Sequence, residues 1–545
     1  MASTSPQTAT PSHETPALFT RRATGLVREG RTRDAIFFHI MWSSVALTFA
    51  FYWLLIGSYS GGSAVIGILI AAACGLPGAV LYAMLTQMMP RSGGDYVFNS
   101  RILHPAIGFA ANFSYCIWVI VSSGIYTTYI AGYGFGAFAR TMAGFTGSTG
   151  WLSFGDWFST HWGLFITGIA AMLITAGLFV IGGTRLFFRV QLWCFALYAL
   201  GAIALPVIIG FLQTRAGFVH NFNAYAANLG TPHASAALTA SAAKAGFKPA
   251  PFSLEASIRA TSVFWFIFGF IYPSTYFAGE MRLGKRTHMR SMPGSVLLAA
   301  GLLLLMTPAF THAVSYTFNG RLAAANPAAY GFAGGIPAYP ELMGIASGSA
   351  VWGILGIVGF TAGLVIWLPE TMMMASRSMF AWSFDRLMPE RLSWVEPRSR
   401  SPLVALAVIL VLITASTAIY SFTTWFTTLT VLLGVSFTMV FTAIAGIAVP
   451  FRQPALVAAS PYARRVLGIP LFTLVGAIAL VGFLGAIVIL ALDQGSGVSI
   501  AKNPGKLEMA IAIYALGFAI YFVSKAIRRR QGIELELAYH ELPPE

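Results

Sequence analysis

Few residues in this chain could do chemistry, and most of those sit within apolar runs. Glu370 follows Pro369 late in one run, and Glu280 closes another beside Arg282, Lys285 and Arg286. His39 stands just inside the first run and His312 near the outer end of the seventh. Ionisable side chains are costly inside a membrane, so each is a functional candidate by default. On a straight helix Glu370 falls roughly 27 Å below Trp352, close to the inner interface. It reads either as a headgroup-level acid paired with Arg377 or another inner arginine, or as a carboxylate that couples a proton. Glu280 reads either as half of an ionic latch at an inner gate or as a simple interfacial pair. For the two histidines a satisfied polar contact is the simpler reading.

Backbone can also bind ligands where a helix is interrupted. From Thr261 to Gly294 the chain reads TSVFWFIFGFIYPSTYFAGEMRLGKRTHMRSMPG. Its first part is apolar enough to span a bilayer, yet Gly269-Phe270-Ile271-Tyr272-Pro273-Ser274-Thr275 is not what a continuous helix would use. An interior proline removes a backbone donor and clashes with the preceding turn. Thr261 to Phe270 covers roughly 15 Å, half of a ~30 Å hydrocarbon core. Irregular backbone at that depth survives only where protein buries it or a wet cavity adjoins it. The break therefore reads as half of a substrate site, with an ordinary proline-kinked helix as the plainer alternative.

Soluble-enzyme chemistry has no visible residues. Gly279-x4-Gly284-Lys285 begins like a phosphate-binding loop, but Arg286 stands where Ser or Thr belongs, and the segment ends an apolar helix instead of following a strand. No HExxH and no GxSxG occurs. Cys74, Cys116 and Cys194 all lie in apolar stretches without a CxxC, so neither a disulfide framework nor a zinc site is expected, and no metal or cofactor. Composition sets the class: 57% hydrophobic and 9% charged residues, against about 25% charged in soluble domains. With mean hydropathy +0.73 this is an all-α polytopic membrane protein, surrounded by lipid. The net charge of +15 comes from basic residues that punctuate apolar runs, which gives no nucleic-acid face.

Twelve apolar runs are long enough to span, at about 36–57, 64–88, 106–131, 163–181, 190–212, 261–281, 294–316, 351–376, 403–422, 427–449, 468–491 and 509–526. With the N-terminus inside, most Lys and Arg fall on the inner side, so both termini are expected to be cytoplasmic in a multi-pass cell membrane protein. Residues 1–20 are Ala-, Ser-, Thr- and Pro-rich with no apolar core, which reads as a disordered tail and not a signal peptide. The long outer loops, 213–258 and 317–350, could carry short helices over the outer mouth. Gly353, Gly356, Gly359 and Gly363 in the eighth run read as a packing face.

Several stretches together resemble the amino acid–polyamine–organocation transporter superfamily. They are Arg31-x-x-Asp34-Ala35-Ile36; Met89-Pro90-Arg91-Ser92-Gly93-Gly94-Asp95-Tyr96 with Arg101 and His104-Pro105; Gly279-Glu280 with Met292-Pro293; and Ser376-Arg377-Ser378-Met379-Phe380, Asp385-Arg386-Leu387-Met388-Pro389 and Ser401-Pro402. The resemblance covers about residues 25–525. It implies a leucine-transporter-type fold: two inverted five-helix repeats, 31–213 and 259–450, joined by the outer loop 214–258. Helices 11 and 12 (451–527) and inner tails 1–30 and 528–545 lie outside the repeats. Spans 1 and 6 would be broken at the midplane and face each other, with half-helix N-termini for anionic groups and unwound carbonyls for cations.

On that pattern the site would use Ser43, Ser44 and Thr48 from span 1, with Phe268, Gly269, Phe270, Tyr272, Pro273, Ser274 and Thr275 from span 6. Tyr115, Ser122 and Thr361 are further wall positions, and Glu370 and Glu280 are the candidates for proton coupling or gating. Where the family carries a glycine-rich break in span 1, this chain reads Ser43-Ser44-Val45-Ala46-Leu47-Thr48 without glycine. Where some members place a lysine in span 5, Tyr198 stands here. The implied function is secondary transport of amino acids or related small organic amines by alternating access, driven by a proton or sodium ion. The alternatives are a non-transporting sensor or partner subunit, or a carrier of another solute such as a nucleobase. No enzymatic activity is implied.

Overall fold

A computed structural model describes residues 28–270, 272–282, 287–332, 335–423, 428–500 and 502–539. Twelve segments in it are long and apolar enough to cross a membrane: Thr32–Leu54, Ala64–Met88, Pro105–Thr146, His161–Ile181, Gly183–Leu212, Leu254–Thr275, Thr287–Ala313, Ala350–Phe384, Leu403–Phe422, Thr430–Arg452, Leu471–Leu492 and Gly505–Arg530. They are spans 1 to 12. All twelve expected runs are present; the side on which Thr32 begins span 1 and Arg530 ends span 12 is the terminal side.

Spans 1, 2, 6 and 7 pack on one another, and spans 3, 4, 8 and 9 form a second group. Span 5 lies against spans 7 and 8, span 10 against spans 2, 3 and 11, and span 12 on span 3. Spans 1 and 3 are 83% buried and span 12 only 17%, so the first two form the core and the last presents its surface to lipid. Span 8 meets span 5 through Gly359, where a Cβ would sit 2.7 Å from the Gly201 Cα, and Gly363, where it would strike the Tyr198 ring at 2.6 Å. The glycine face is a packing face, as small residues in membranes usually are. Short helices Arg215–Ala227, Ala234–Lys244, Tyr316–Ala324 and Tyr339–Ser347 occupy the two long loops that follow spans 5 and 7.

Three elements differ from expectation. Span 3 continues past residue 131 through a π-turn, Ile130–Gly136, to Thr146. Span 8 runs to Phe384, eight residues beyond its expected end, because Arg377 is neutralised inside the protein and not at a headgroup. That places Glu370 near the middle of a longer helix than expected. Span 6 holds α-helix only to Phe268; beyond it come two single 3-10 turns, Pro273–Thr275 and Ala278–Glu280. The half-helix expected there is replaced by backbone pairing: Gly93 N–H donates to the Tyr276 carbonyl (3.0 Å), and the N–H groups of Glu29 and Gly30 donate to that of Glu280 (2.9 and 3.0 Å). Ile271, Lys285 and Arg286 lie outside the described residues, as do residues 1–27.

Candidate transport site at the breaks of spans 1 and 6

Span 1 is interrupted at the two serines. Its first half, Thr32–Trp42, ends there, and its second, Val45–Leu54, begins after Ser44, whose φ and ψ of 48° and 55° are left-handed. That conformation costs a non-glycine residue roughly 1–2 kcal/mol, so something must hold it. The serine hydroxyls donate back to the carbonyls of Ile40 (3.1 Å) and Met41 (3.2 Å), and Ser44 Oγ also meets the Tyr126 hydroxyl at 2.8 Å. The Trp42 carbonyl accepts the indole N–H of Trp367 (2.9 Å), and the Ala46 N–H donates to the Tyr198 hydroxyl (2.7 Å). Spans 3, 5 and 8 thus satisfy a break that glycine would otherwise make.

Ser44→Ala removes both hydroxyl contacts while keeping the strained backbone. It is expected to lower stability by about 1–3 kcal/mol, and Ser44→Gly by less, because glycine carries no left-handed cost. Thermal unfolding in detergent reads the difference, and equal losses would remove strain from the explanation.

Aromatic rings fill the space between the breaks. Trp42 stacks on Trp367 at 3.6 Å, Trp367 on Tyr126 at 4.0 Å, and Phe270 sets its edge against Trp42 at 5.9 Å. Ring faces of this kind attract cations. Several buried polar atoms here have no hydrogen-bond partner among the described residues: Trp42 Nε1, Thr48 Oγ1, Glu370 Oε2 and both ring nitrogens of His39. Buried polar groups are normally paired, so these are groups a ligand or proton could engage.

Not every expected site residue joins this centre. Ser43, Ser44 and Phe270 do, with Thr48 one turn into the second half-helix. Phe268 packs against Gly75 of span 2, and Gly269 closes its helix by donating to the Trp265 carbonyl (2.8 Å). Tyr272 stacks on Tyr82 at 4.1 Å. Pro273 opens the 3-10 turn, Ser274 Oγ lies 3.5 Å from His288 Nδ1, and Thr275 bonds Thr86 at 2.7 Å. Of the wall positions, Tyr115 stacks on Tyr276, Ser122 bonds back to its own helix, and Thr361 lines a cavity of ≈ 980 Å³ with Phe135, Trp151 and Cys194, away from the breaks.

The two acids change partners relative to expectation. Glu370, fully buried, has no ion pair among the described residues; Gln191 Nε2 approaches its Oε1 at 3.4 Å. It lies three residues after Trp367, hence on the same helix face. Arg377 instead grips Glu280 in a bidentate pair of 2.7 and 2.8 Å, with Thr184 Oγ1 donating to Glu280 at 2.8 Å. Both charged side chains are 1% exposed, so the pair is buried within the protein. On the other side Arg140 holds Glu341 in a second bidentate pair, both contacts 3.0 Å. His312 has a polar contact as expected, with the Gly210 carbonyl, whereas His39 has no hydrogen-bond partner among the described residues.

A family model described as "Amino acid permease" matches residues 35–518. The chain belongs to the amino acid permease family. No curated protein matches it. The matched region includes both breaks, both ion pairs and all twelve spans except the ends of the first and last. The elements missed in the sequence of this permease are Trp42, Trp367 and Tyr126, whose stacking joins spans 1, 8 and 3. Trp42 adjoins the serines and Trp367 lies two residues before Pro369, but neither signal says that they meet.

Proposed function

We propose that this permease is a secondary active transporter of amino acids or related small amines, working by alternating access in the cytoplasmic membrane with both termini inside. The observation that carries this is the meeting of two interrupted spans at Trp42 and Phe270. The substrate carboxylate would sit at the N-terminal end of the half-helix Val45–Leu54, where N–H groups and the helix dipole favour an anion. Its ammonium would face the Trp42–Trp367–Tyr126 rings and the C-terminal end of Thr261–Phe268. The five-plus-five repeat fits, because spans 1 and 6 would occupy equivalent positions in the two halves. With the inner and outer ion pairs both formed, the conformation corresponds to an occluded state.

Glu370 is the proposed proton carrier at this site, since a buried charge without a counter-ion is costly. The Trp42 carbonyl freed by the break is already taken by Trp367, which favours a proton over sodium at that position.

Uptake of labelled amino acids, amines and nucleobases into proteoliposomes, with and without proton or sodium gradients, tests the assignment. Phe270→Ala, Trp42→Ala and Trp367→Ala, each removing a ring between the two breaks, are each expected to cut uptake at least about tenfold, a loss of 1.4 kcal/mol in transition-state terms. Unchanged uptake in all three well-folded variants sinks the site. A non-transporting sensor draws its support from a span 1 break without glycine, held by side chains from three spans. Substrate-dependent thermal stabilisation without uptake would favour that reading.

A further inference from the structure

Asp95, from the Gly93-Gly94-Asp95-Tyr96 motif, has no part in the site above, yet its environment is that of a working acid. It opens the short helix Asp95–Ile102 between spans 2 and 3 and is fully buried. Asn112 Nδ2 donates to its Oδ1 at 2.7 Å, while Oδ2 has no hydrogen bond of ordinary geometry among the described residues. The groups acting on it are hydroxyls and backbone: Tyr276, with the N–H groups of Asp95 and Tyr96. The titratable groups facing it are Tyr82 from span 2, Tyr115 from span 3, Tyr272 and Tyr276 from span 6, and Tyr514 from span 12. No cation is among these. The arginines of this region are committed elsewhere, Arg101 to Asp385 and Arg377 to Glu280.

Two of those tyrosines flank the break of span 6, so the acid is covered by a segment expected to move. Tyr276 stacks on Tyr115 at 4.8 Å with an interplanar angle of 9°. Its ring occupies the space over Gly94, where a Cβ would come within 2.5 Å of it. Gly94 is therefore what lets span 6 close over the neighbouring carboxyl. Burial pushes that carboxyl up to about 6, against the opposing pull of Asn112 and Tyr276.

We propose that Asp95 is a second proton site, which locks the inner half of span 6: it is protonated while Tyr272 and Tyr276 cover it, and its proton passes to water on the terminal side as the segment withdraws. The motion rests on the alternating-access reading above; the acid itself does not. The sign follows from linkage. A carboxyl held above its ordinary 3.8 when covered binds more protons than when exposed. The closed arrangement is thus favoured at low pH and weakened as pH rises through about 6.

The test needs no substrate. Ala278→Cys, on the segment that covers Asp95, is introduced into full-length protein whose three native cysteines are replaced. Labelling by a membrane-impermeant maleimide is then followed between about pH 5 and 8, beside the same protein carrying Asp95→Asn. The asparagine protein supplies the intrinsic pH dependence of the thiol. Labelling should rise about tenfold more with pH when Asp95 is present, and Tyr276→Phe, which removes a group that favours the carboxylate, should move the midpoint to higher pH. The same pH response with and without Asp95 overturns the proposal, and so does an unmoved midpoint in Tyr276→Phe. If the response follows Asp95 but no compound of the uptake panel is carried, the transport reading falls and the proton site stands.

Discussion

Arg377→Met is expected to destabilise the closed protein by about 3–5 kcal/mol, the cost of leaving one partner of a buried pair uncompensated. Glu280 would remain at 1% exposure with only the Thr184 hydroxyl and the solvent it could draw in. The carbonyl of the same residue anchors Glu29 and Gly30, so the loss should spread to the N-terminal segment and expose it to protease. Glu280→Leu combined with Arg377→Met should recover most of the stability, because an apolar replacement of both members removes the desolvation penalty as well as the attraction. Thermal unfolding of the two singles and the double in detergent closes the cycle. A coupling near zero would mean that the latch is open in most molecules. If the latch closes the inner path, the double variant should stay folded yet leak substrate down its gradient. That separates the role of the pair in gating from its role in stability.

Legibility in the sequence followed the range of the interaction that decides each feature. Twelve spans were readable because composition alone sets them, and the break in span 6 was readable because Pro273 acts on its own turn. The break in span 1 was legible only through its place in the family pattern. Serines lower the cost of a break through side-chain bonds to Ile40, Met41 and Tyr126, and the last of these is distant in the chain. The Arg377–Glu280 pair was half legible. Glu280 stood out as an acid closing an apolar run, but its partner is 97 residues away and not among the arginines that follow it. Arg377 also misled about span 8, since a charge reads as a helix end unless its counter-ion is known. The stacked Trp42, Trp367 and Tyr126 left no sequence signal, because aromatic residues are frequent throughout the chain and only tertiary packing selects these three.

Glu370→Gln is expected to abolish gradient-driven accumulation while sparing exchange of substrate for substrate. The change is nearly isosteric and keeps a hydrogen-bonding partner for Gln191, so the helix face carrying Trp367 should not move. An amide needs no counter-ion in a fully buried position, and the variant should fold at least as well as the parent. What it loses is the proton. If binding and release at Glu370 set the direction of the cycle, a proton gradient then has nothing to act on at the substrate site, although the loaded carrier can still cross. Proteoliposomes separate the two modes: counterflow should remain within about threefold of the parent, a change under 1 kcal/mol, and uphill uptake should fall to background. The two acids are also separable, since Glu370 neighbours the rings between the breaks and Asp95 lies under the inner segment of span 6. Glu370→Gln should therefore leave the pH response of the Ala278→Cys protein unchanged. Retained uphill uptake in Glu370→Gln would reduce this carboxyl to a packing role and leave Asp95 as the acid through which a proton gradient could work.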